Sequence, residues 1–342
     1  MIKKPIVIIN NEKIFRQNND YYCANFDMKV LPEGLNAYHA VQFIVRSSKK
    51  KNGHKLNLEN IKVASNIFRF LYFIFKTFKI KNVSYLLVDI TPYTFFSFLI
   101  LFIFRKKIFV YLRSSGHDEW KHILGSWSVW IYHIMYTITT SNSIVMVLND
   151  RLFNKKKCHL INPSRLNDLW FKDHKEASLD KIKLLYVGRI NPEKGIYNFI
   201  KMFNQVKLDI ELSIVADPKN LKVINKNIKL FGYISDVQSL INVYDNHNII
   251  VLPSFTEGQP YILDECLSRK RPIIVFEDIA YIVKDRKGVF VSKRDLDSFV
   301  KNIKYIMHNY QEIQKNIEKN KFITAKDMLK QISYILTLNN LK

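Results

Sequence analysis

The chain has 342 residues, 48% of them hydrophobic, with 24 Phe and 18 Tyr; this suffices for two cores and excludes a disordered chain. Cys23, Cys158 and Cys266 are scattered and form no CxxC pair, which excludes a disulfide framework and fits a reducing compartment. Lys and Arg number 53 against 30 Asp and Glu, a formal +23, so nucleic acid, an anionic membrane or a phosphorylated substrate are the partner classes to weigh, beside a compositional bias toward Lys, Asn and Ile.

The opening MIKKPIVIIN has too short an apolar run for a secretion signal and reads as a first strand. The chain is therefore expected to stay in the cytoplasm. Residues 31–46 and 59–78 read as helical. VSYLLVDI is a clear strand. YTFFSFLILFIF, residues 93–104, is apolar throughout but only twelve residues long, against the ~20 that a spanning helix needs. It reads as a buried helix between two strands, or as a surface helix dipping into lipid beside Arg105, Lys106 and Lys107. KIFVYLR is the next strand. Trp120, Ile123, Leu124, Trp127, Trp130, Ile131 and Ile134 then repeat at helical intervals over 119–139. SIVMVL and KCHLIN are shorter strands.

Residues 163–181 are polar and poorly periodic and read as a linker. The same alternation then restarts: IKLLYVG, IELSIVAD, IKLFGYI, NIIVLPS, PIIVF and KGVFVS as strands, with helices between them and two more at 295–318 and 325–338. Strands alternating with helices predict an α/β chain of two Rossmann-like domains with parallel sheets. The expected division is an N-terminal domain over 1–170, a C-terminal domain over 171–324 and a closing helix over 325–342. The first 170 residues hold 25 basic and 10 acidic residues, the remainder 28 and 20, so the basic excess lies mainly in the first half.

In open parallel sheets ligands sit beyond the carboxyl ends of strands. YVGRINPEKG, residues 186–195, places Gly188 and Arg189 at such an end, with Lys194 entering a helix. The two cations suit a diphosphate, and equally an ordinary solvated turn. Neither GxGxxG nor GxxxxGK[ST] is present, which removes the main support for a dehydrogenase or a P-loop NTPase. FGYISD carries Tyr233, near a base or simply packed, and Asp236, which suits a helix cap. In VLPSFTEGQPYILDECLSR, Glu257 and Gly258 lie in a loop, Pro260 suits a first helical turn, and Glu265 lies inside the helix. The two glutamates are placed to meet opposite ends of one elongated ligand, or to be solvated.

LPSFTEGQPYILDE, with its Glu-x7-Glu spacing, and YVGRINPEKG some seventy residues earlier together resemble the retaining glycosyltransferases of family 4, of bacterial surface-polysaccharide type. The close resemblance covers roughly residues 182–292. It implies the GT-B fold, two Rossmann-like domains facing each other across a cleft, with the last helix crossing back to the first domain. It implies a nucleotide-sugar-dependent, retaining hexosyltransferase acting on a hydroxyl of a glycan or lipid-linked glycan precursor, as in lipopolysaccharide synthesis. The donor, UDP- or GDP-linked, would meet Gly188, Arg189, Lys194, Tyr233, Glu257, Gly258, Gln259, Pro260, Tyr261 and Glu265. Arg189 and Lys194 would hold the diphosphate, Glu257 the sugar and Glu265 the ribose. No metal and no separate cofactor is implied.

His117 in YLRSSGHDEWKHILG is the candidate catalytic residue of the first domain, with Arg113 beside it; a loop histidine is the plainer reading. Gly34 stands as the counterpart of an acceptor-side loop. Ser164 and Arg165 lie at the domain junction or in a hinge. The sequence departs from the family pattern in EGQP, where Glu-Gly-Phe-Gly is usual, and in Arg271, where a small residue is usual. A peripheral contact with an anionic membrane at its cytoplasmic face is expected, and no nucleic acid. The competing readings are a GT-B-type nucleotide-sugar epimerase and a basic, non-enzymatic nucleic-acid-binding protein.

Overall fold

The computed structural model describes residues 3–49, 53–148, 153, 158–217, 221 and 224–338. The chain divides into two compact units, Met1–Asn162 with Lys326–Lys342, and Pro163–Ala325.

The first unit contains β1 (Pro5–Gln17), β2 (Asp20–Cys23), α1 (Asp27–Asn36), β3 (Ala40–Ser47), β4 (His54–Leu56), β5 (Ile61–Ala64), α2 (Ile67–Thr77), β6 (Ser84–Val88), α3 (Pro92–Ile103), β7 (Lys107–Leu112), α4 (Gly116–Leu124), α5 (Ser128–Ser141), β8 (Ile144–Val147) and β9 (Cys158–Leu160). Its parallel sheet runs β5-β3-β1-β6-β7-β8-β9, with β2 and β4 added antiparallel at the far end of β1. The strand order reverses between β1 and β6.

Several elements differ from the sequence expectation. Residues 31–46 are not one helix. α1 ends at Asn36, and AVQFIVRS becomes β3, paired in parallel with β1 and β5. Pairing on both edges buries Phe43, Ile44 and Val45, a gain that a lone helix in this stretch would not supply. The helix expected over 59–78 begins only at Ile67, because Asn66 caps it by accepting from the Arg69 amide, and Ile61–Ala64 joins the sheet. The run over 119–139 is broken at Gly125, whose φ of +93° ends α4. The apolar α3 is half buried. Thr91 and Thr94 form a reciprocal capping box with Pro92 following, and Ser97, Phe98 and Leu101 face the core while Phe96, Phe102 and Ile103 face outward. No described helix is long and apolar enough to cross a membrane.

The second unit contains β10 (Ile182–Val187), α6 (Ile196–Phe203), β11 (Ile210–Val215), β12 (Ile228–Phe231), α7 (Val237–Asp245), β13 (Ile249–Leu252), α8 (Tyr261–Ser268), β14 (Ile273–Phe276), β15 (Val289–Ser292), α9 (Leu296–His308) and α10 (Tyr310–Ile317). Its described strands form one parallel sheet in the order β12-β11-β10-β13-β14-β15, reversing between β10 and β13. The chain then returns through α11 (Ala325–Thr337), whose Met328, Leu329, Ile332, Ile335 and Leu336 are buried in the core of the first unit.

Residues 163–175 are not a free linker. Leu166 and Trp170 are buried in the core of the second unit. Arg269, itself paired with Asp245 at 2.7 Å, donates to the carbonyls of Trp170, Lys172 and Asp173. Arg271 donates to those of Lys175, Asp245, His247 and Arg269. These two buried guanidiniums satisfy loop carbonyls that burial would otherwise leave unpaired, which accounts for an arginine at 271. Gly34 lies within α1, where a Cβ would come 2.2 Å from Leu329, so it serves close packing against α11 rather than an open loop.

Candidate functional site

In the second unit the loops after β10 and β13 leave the sheet side by side, because these two strands are neighbours at the order reversal. That is where open α/β sheets bind ligands. Gly188 directly follows β10, its amide donating to the Val215 carbonyl. The Tyr186 hydroxyl donates to the Arg189 carbonyl at 2.7 Å, fixing the loop while the Arg189 side chain stays exposed. Burial pushes that phenol's pKa well up. The turn Pro192–Lys194 ends at Gly195, whose φ is +66°. A Cβ there would stand 2.0 Å from the Pro253 carbonyl oxygen. Only glycine permits this approach, and it draws the two loops together.

The two loops are bonded to each other at two points, and a third bond within the β13 loop holds the shared carboxylate. The Phe255 amide donates to the Glu193 carbonyl at 2.9 Å. Lys194 Nζ lies 2.6 Å from Glu257 Oε1. The buried Ser254 Oγ donates to that same carboxylate oxygen at 2.6 Å. Arg294 donates to the Pro253 and Ser254 carbonyls, pairs with Asp278 at 2.6 Å and stacks on Phe255. The Tyr281 hydroxyl accepts from the Glu257 amide at 3.1 Å and donates to the Glu257 carbonyl. The Glu257 backbone is therefore gripped from both sides.

Gly258 is exposed, Gln259 and Pro260 are half exposed, and Tyr261 opens α8 beneath the Arg165 guanidinium, 4.1 Å from its ring centre. Glu265 is only 7% exposed and accepts from the buried Tyr244 hydroxyl at 2.8 Å. Burial, then the Glu265 charge, raises the Tyr244 pKa, so the phenol stays a donor. Ser164 is buried, its hydroxyl accepting from the Leu166 amide. Tyr233 is 64% exposed beyond β12, and Asp236 caps α7 by accepting from the Ser239 amide.

In the first unit a pocket opens at the carboxyl ends of β6 and β7, beside the middle of β1 where its pairing with β3 shifts register, lined in part by Asn10, Glu12, Asp89, Arg113, Trp120 and Tyr132. Arg113 makes a fork with Asp89, Nε and Nη2 reaching Oδ2 at 2.9 and 2.5 Å while its amide reaches Oδ1 at 2.9 Å. Asp89 itself adopts φ +58°. Burial raises the Glu12 pKa, and the Arg113 charge opposes that rise. Gly116 lines the pocket, where a Cβ would strike the Tyr132 ring.

His117 follows in the first turn of α4 and packs edge-on against Tyr132 and Tyr136, its Nε2 lying 3.1 Å from His133 Nδ1. Burial first, and His133 second, lower its pKa and favour the neutral ring. Among the described residues no group of three or more His, Cys, Asp or Glu could hold a metal ion.

Of the residues expected from sequence, Gly188, Arg189, Lys194, Glu257, Gly258, Gln259, Pro260, Tyr261 and Glu265 all lie on β10, β13, α8 or the loops they carry. Tyr233 follows the outer strand β12, and His117 belongs to the first unit. Sequence reasoning missed Tyr244, Tyr281 and Arg294, which reach the site from distant segments with no local motif. It also passed over Asp89, which the strand-end rule used for Gly188 would have found.

Residues 181–309 match the family model described as glycosyl transferases group 1. The capsular polysaccharide biosynthesis glycosyltransferase CapM of Staphylococcus aureus is 28% identical over 159 residues, 42% of this chain and 41% of that protein. The chain thus spans about two-fifths of the length of this curated relative. Among solved structures, Anabaena Alr3699/HepE in complex with UDP-glucose has a TM-score of 0.69 at 10% identity, over 97% of this chain and 99% of that one. Sucrose-phosphate synthase from Thermosynechococcus elongatus has 0.64 at 16%, over 96% and 94%. The apo form of the lipopolysaccharide outer core galactosyltransferase WaaB has 0.62 at 14%, over 98% and 100%. At these identities the likeness shows the fold, which is GT-B.

Proposed function

We propose that the chain is a group 1 glycosyltransferase with a nucleotide-sugar donor site in its second unit. The observation that carries this reading is the joining of the β10 and β13 loops at the order reversal, with Lys194, Glu257 and the α8 segment brought together there. A helix start and two cations suit a diphosphate. A carboxylate inside the helix suits a pair of ribose hydroxyls.

In this reading Arg189 and Lys194 hold the donor diphosphate and stabilise the charge that develops as it leaves. The site around Gly188, Gly258, Gln259, Pro260 and Tyr261 lets the donor approach the backbone closely. Glu265, held by Tyr244, accepts from the ribose. When the diphosphate takes Lys194, Glu257 is released to accept from hydroxyls of the donor sugar. Tyr233 lies at the rim on the base side. His117 and the Asp89–Arg113 pocket form the acceptor-facing part of the first unit. The donor is a UDP- or GDP-linked hexose, and the acceptor a hydroxyl of a glycan or lipid-linked glycan precursor of surface polysaccharide.

The reaction breaks the bond between the anomeric carbon and the diphosphate oxygen, whose electron pair leaves with the nucleoside diphosphate. The acceptor oxygen bonds to the anomeric carbon on the same face, with retention, and its proton passes to the departing diphosphate. No metal enters this scheme. The CapM likeness and the group 1 match support glycan synthesis and do not favour the epimerase or nucleic-acid readings.

A transfer assay tests the proposal. Purified protein is incubated with UDP- and GDP-hexoses and an extract of lipid-linked glycans, and the product linkage is read by NMR. A new linkage with the donor's anomeric configuration supports it. An inverted product refutes retention, and a converted sugar nucleotide without acceptor makes the chain an epimerase.

A further inference from the structure

α2, α3 and α5 form one layer on the same face of the first unit's sheet. Phe70 and Ile74, Phe98 and Leu101, and Tyr132 and Met135 all enter a single core beneath them, and α3 packs against both neighbours. The outward faces of these three helices are apolar as well. α2 shows Phe68, Tyr72 and Phe75, at the i, i+4, i+7 spacing of one helical stripe. α3 shows Phe96, Phe102 and Ile103, followed by Phe104. α5 shows Trp130, Ile131, Ile134 and Ile138, with Trp127 just before it. Phe68 is 81% exposed and Trp130 70%. Scattered exposed apolar residues are ordinary, but a continuous layer of them marks an interaction surface.

Along α2 and α3 the charges are almost all of one sign, while α4, packed against α5, carries the exposed Asp118 and Glu119 beside Lys121. From Ile67 to Leu112 the chain carries Arg69, Lys76, Lys79, Lys81, Arg105, Lys106 and Lys107, and one acidic residue, Asp89, which Arg113 neutralises. Phe75 and Phe78 both pack on Phe104, so the carboxyl ends of α2 and α3 meet in one aromatic cluster. Cations crowd that cluster. Lys76 lies 4.7 Å from the Tyr72 ring centre and Lys106 lies 4.6 Å from that of Phe78. α5 carries no Lys, Arg, Asp or Glu. Aromatic side chains beside cations, with an uncharged Trp and Ile stripe alongside, are the features of a helix face lying in a lipid interface.

We infer that the outer faces of α2, α3 and α5 form a docking surface for an anionic lipid bilayer. The tryptophans and isoleucines of α5 and the phenylalanines of α3 enter the headgroup–acyl boundary. Arg69, Lys76, Lys79 and Arg105 meet the lipid phosphates. The inference does not depend on the donor site, which lies in the other unit.

Vesicle co-sedimentation tests it on the full chain, with phosphatidylcholine vesicles and with vesicles enriched in phosphatidylglycerol. Two variants alter only exposed side chains: Trp127→Ser/Trp130→Ser, and Lys76→Glu/Lys79→Glu/Arg105→Glu. The wild type is expected to bind the anionic vesicles and to weaken as salt rises. The charge variant should lose affinity on the order of 100-fold for them, and the tryptophan variant should release at moderate salt. Nucleotide binding by both variants should match the wild type, which separates this test from that of the donor site. Failure of the wild type to bind anionic vesicles overturns the inference, as does binding that neither variant weakens. So does a concentration-dependent dimer that the tryptophan variant abolishes, since that would make a second copy the occupant.

Discussion

Lys194 and Glu257 are 63 positions apart, yet their charged atoms lie 2.6 Å apart, with Ser254 bonded to the same carboxylate oxygen. Both side chains are shielded, at 19% and 8% exposure. Breaking such a pair leaves one charge shielded and alone, which costs more than replacing both partners. Lys194→Met is therefore expected to destabilise the second unit by about 1–3 kcal/mol. Adding Glu257→Gln should recover part of that loss. Urea unfolding of the two single variants and the double variant checks this, and strict additivity would show that the pair is not coupled.

Gly195 brings its backbone against the β13 loop, and it holds φ at +66° with the Pro253 carbonyl where a Cβ would stand. Gly195→Ala should lose about 2 kcal/mol or more, from backbone strain and from displacing the β13 loop. Donor affinity should fall with it. Gly232→Ala is the control, because a Cβ there meets nothing within 4 Å and its φ is not in the left-handed range. Equal melting temperatures for the two variants would contradict this account of the site.

Two buried histidines predict acid sensitivity. Burial lowers the pKa of His39, which lies 2.9 Å from Ser333 of α11, and of His247, whose Nδ1 donates to the Val243 carbonyl. Below an unfolded imidazole pKa of about 6.5 the unfolded chain takes up protons that the folded chain refuses. Stability from these groups is thus fully present above that pH and is lost as pH falls toward the lowered folded values. The urea midpoint should drop between about pH 7.5 and about pH 5.5. His39→Gln and His247→Gln should each flatten that drop, and an unchanged slope in both would remove these residues as its source.

The readable parts of the sequence were those where local pattern and tertiary packing agree. The β10, β13 and β14 strands are short apolar runs bounded by Gly or Pro, and all are strands. The Gly188–Lys194 and Pro253–Glu265 segments announce themselves because strand ends carry ligands in such sheets. AVQFIVRS was misread because its apolar residues fit a helix as well as a strand, and only pairing with β1 and β5 decides between them. For α3 the sequence leaves open a buried helix or a surface helix dipping into lipid, because a stretch apolar all round does not mark its outer face. Tyr244, Tyr281 and Arg294 were invisible because their roles come from long-range geometry that no spacing encodes.

The central claim is a nucleotide-sugar donor site in the second unit, and calorimetric titration of nucleoside diphosphates tests it most directly. UDP and GDP, and their hexose conjugates, are titrated into the wild type, Lys194→Ala and Glu265→Ala. The account predicts that one base class binds, and that each variant weakens it about tenfold or more through a lost charge-assisted contact. Undiminished binding in both variants, or no binding of any diphosphate by the wild type, would contradict it.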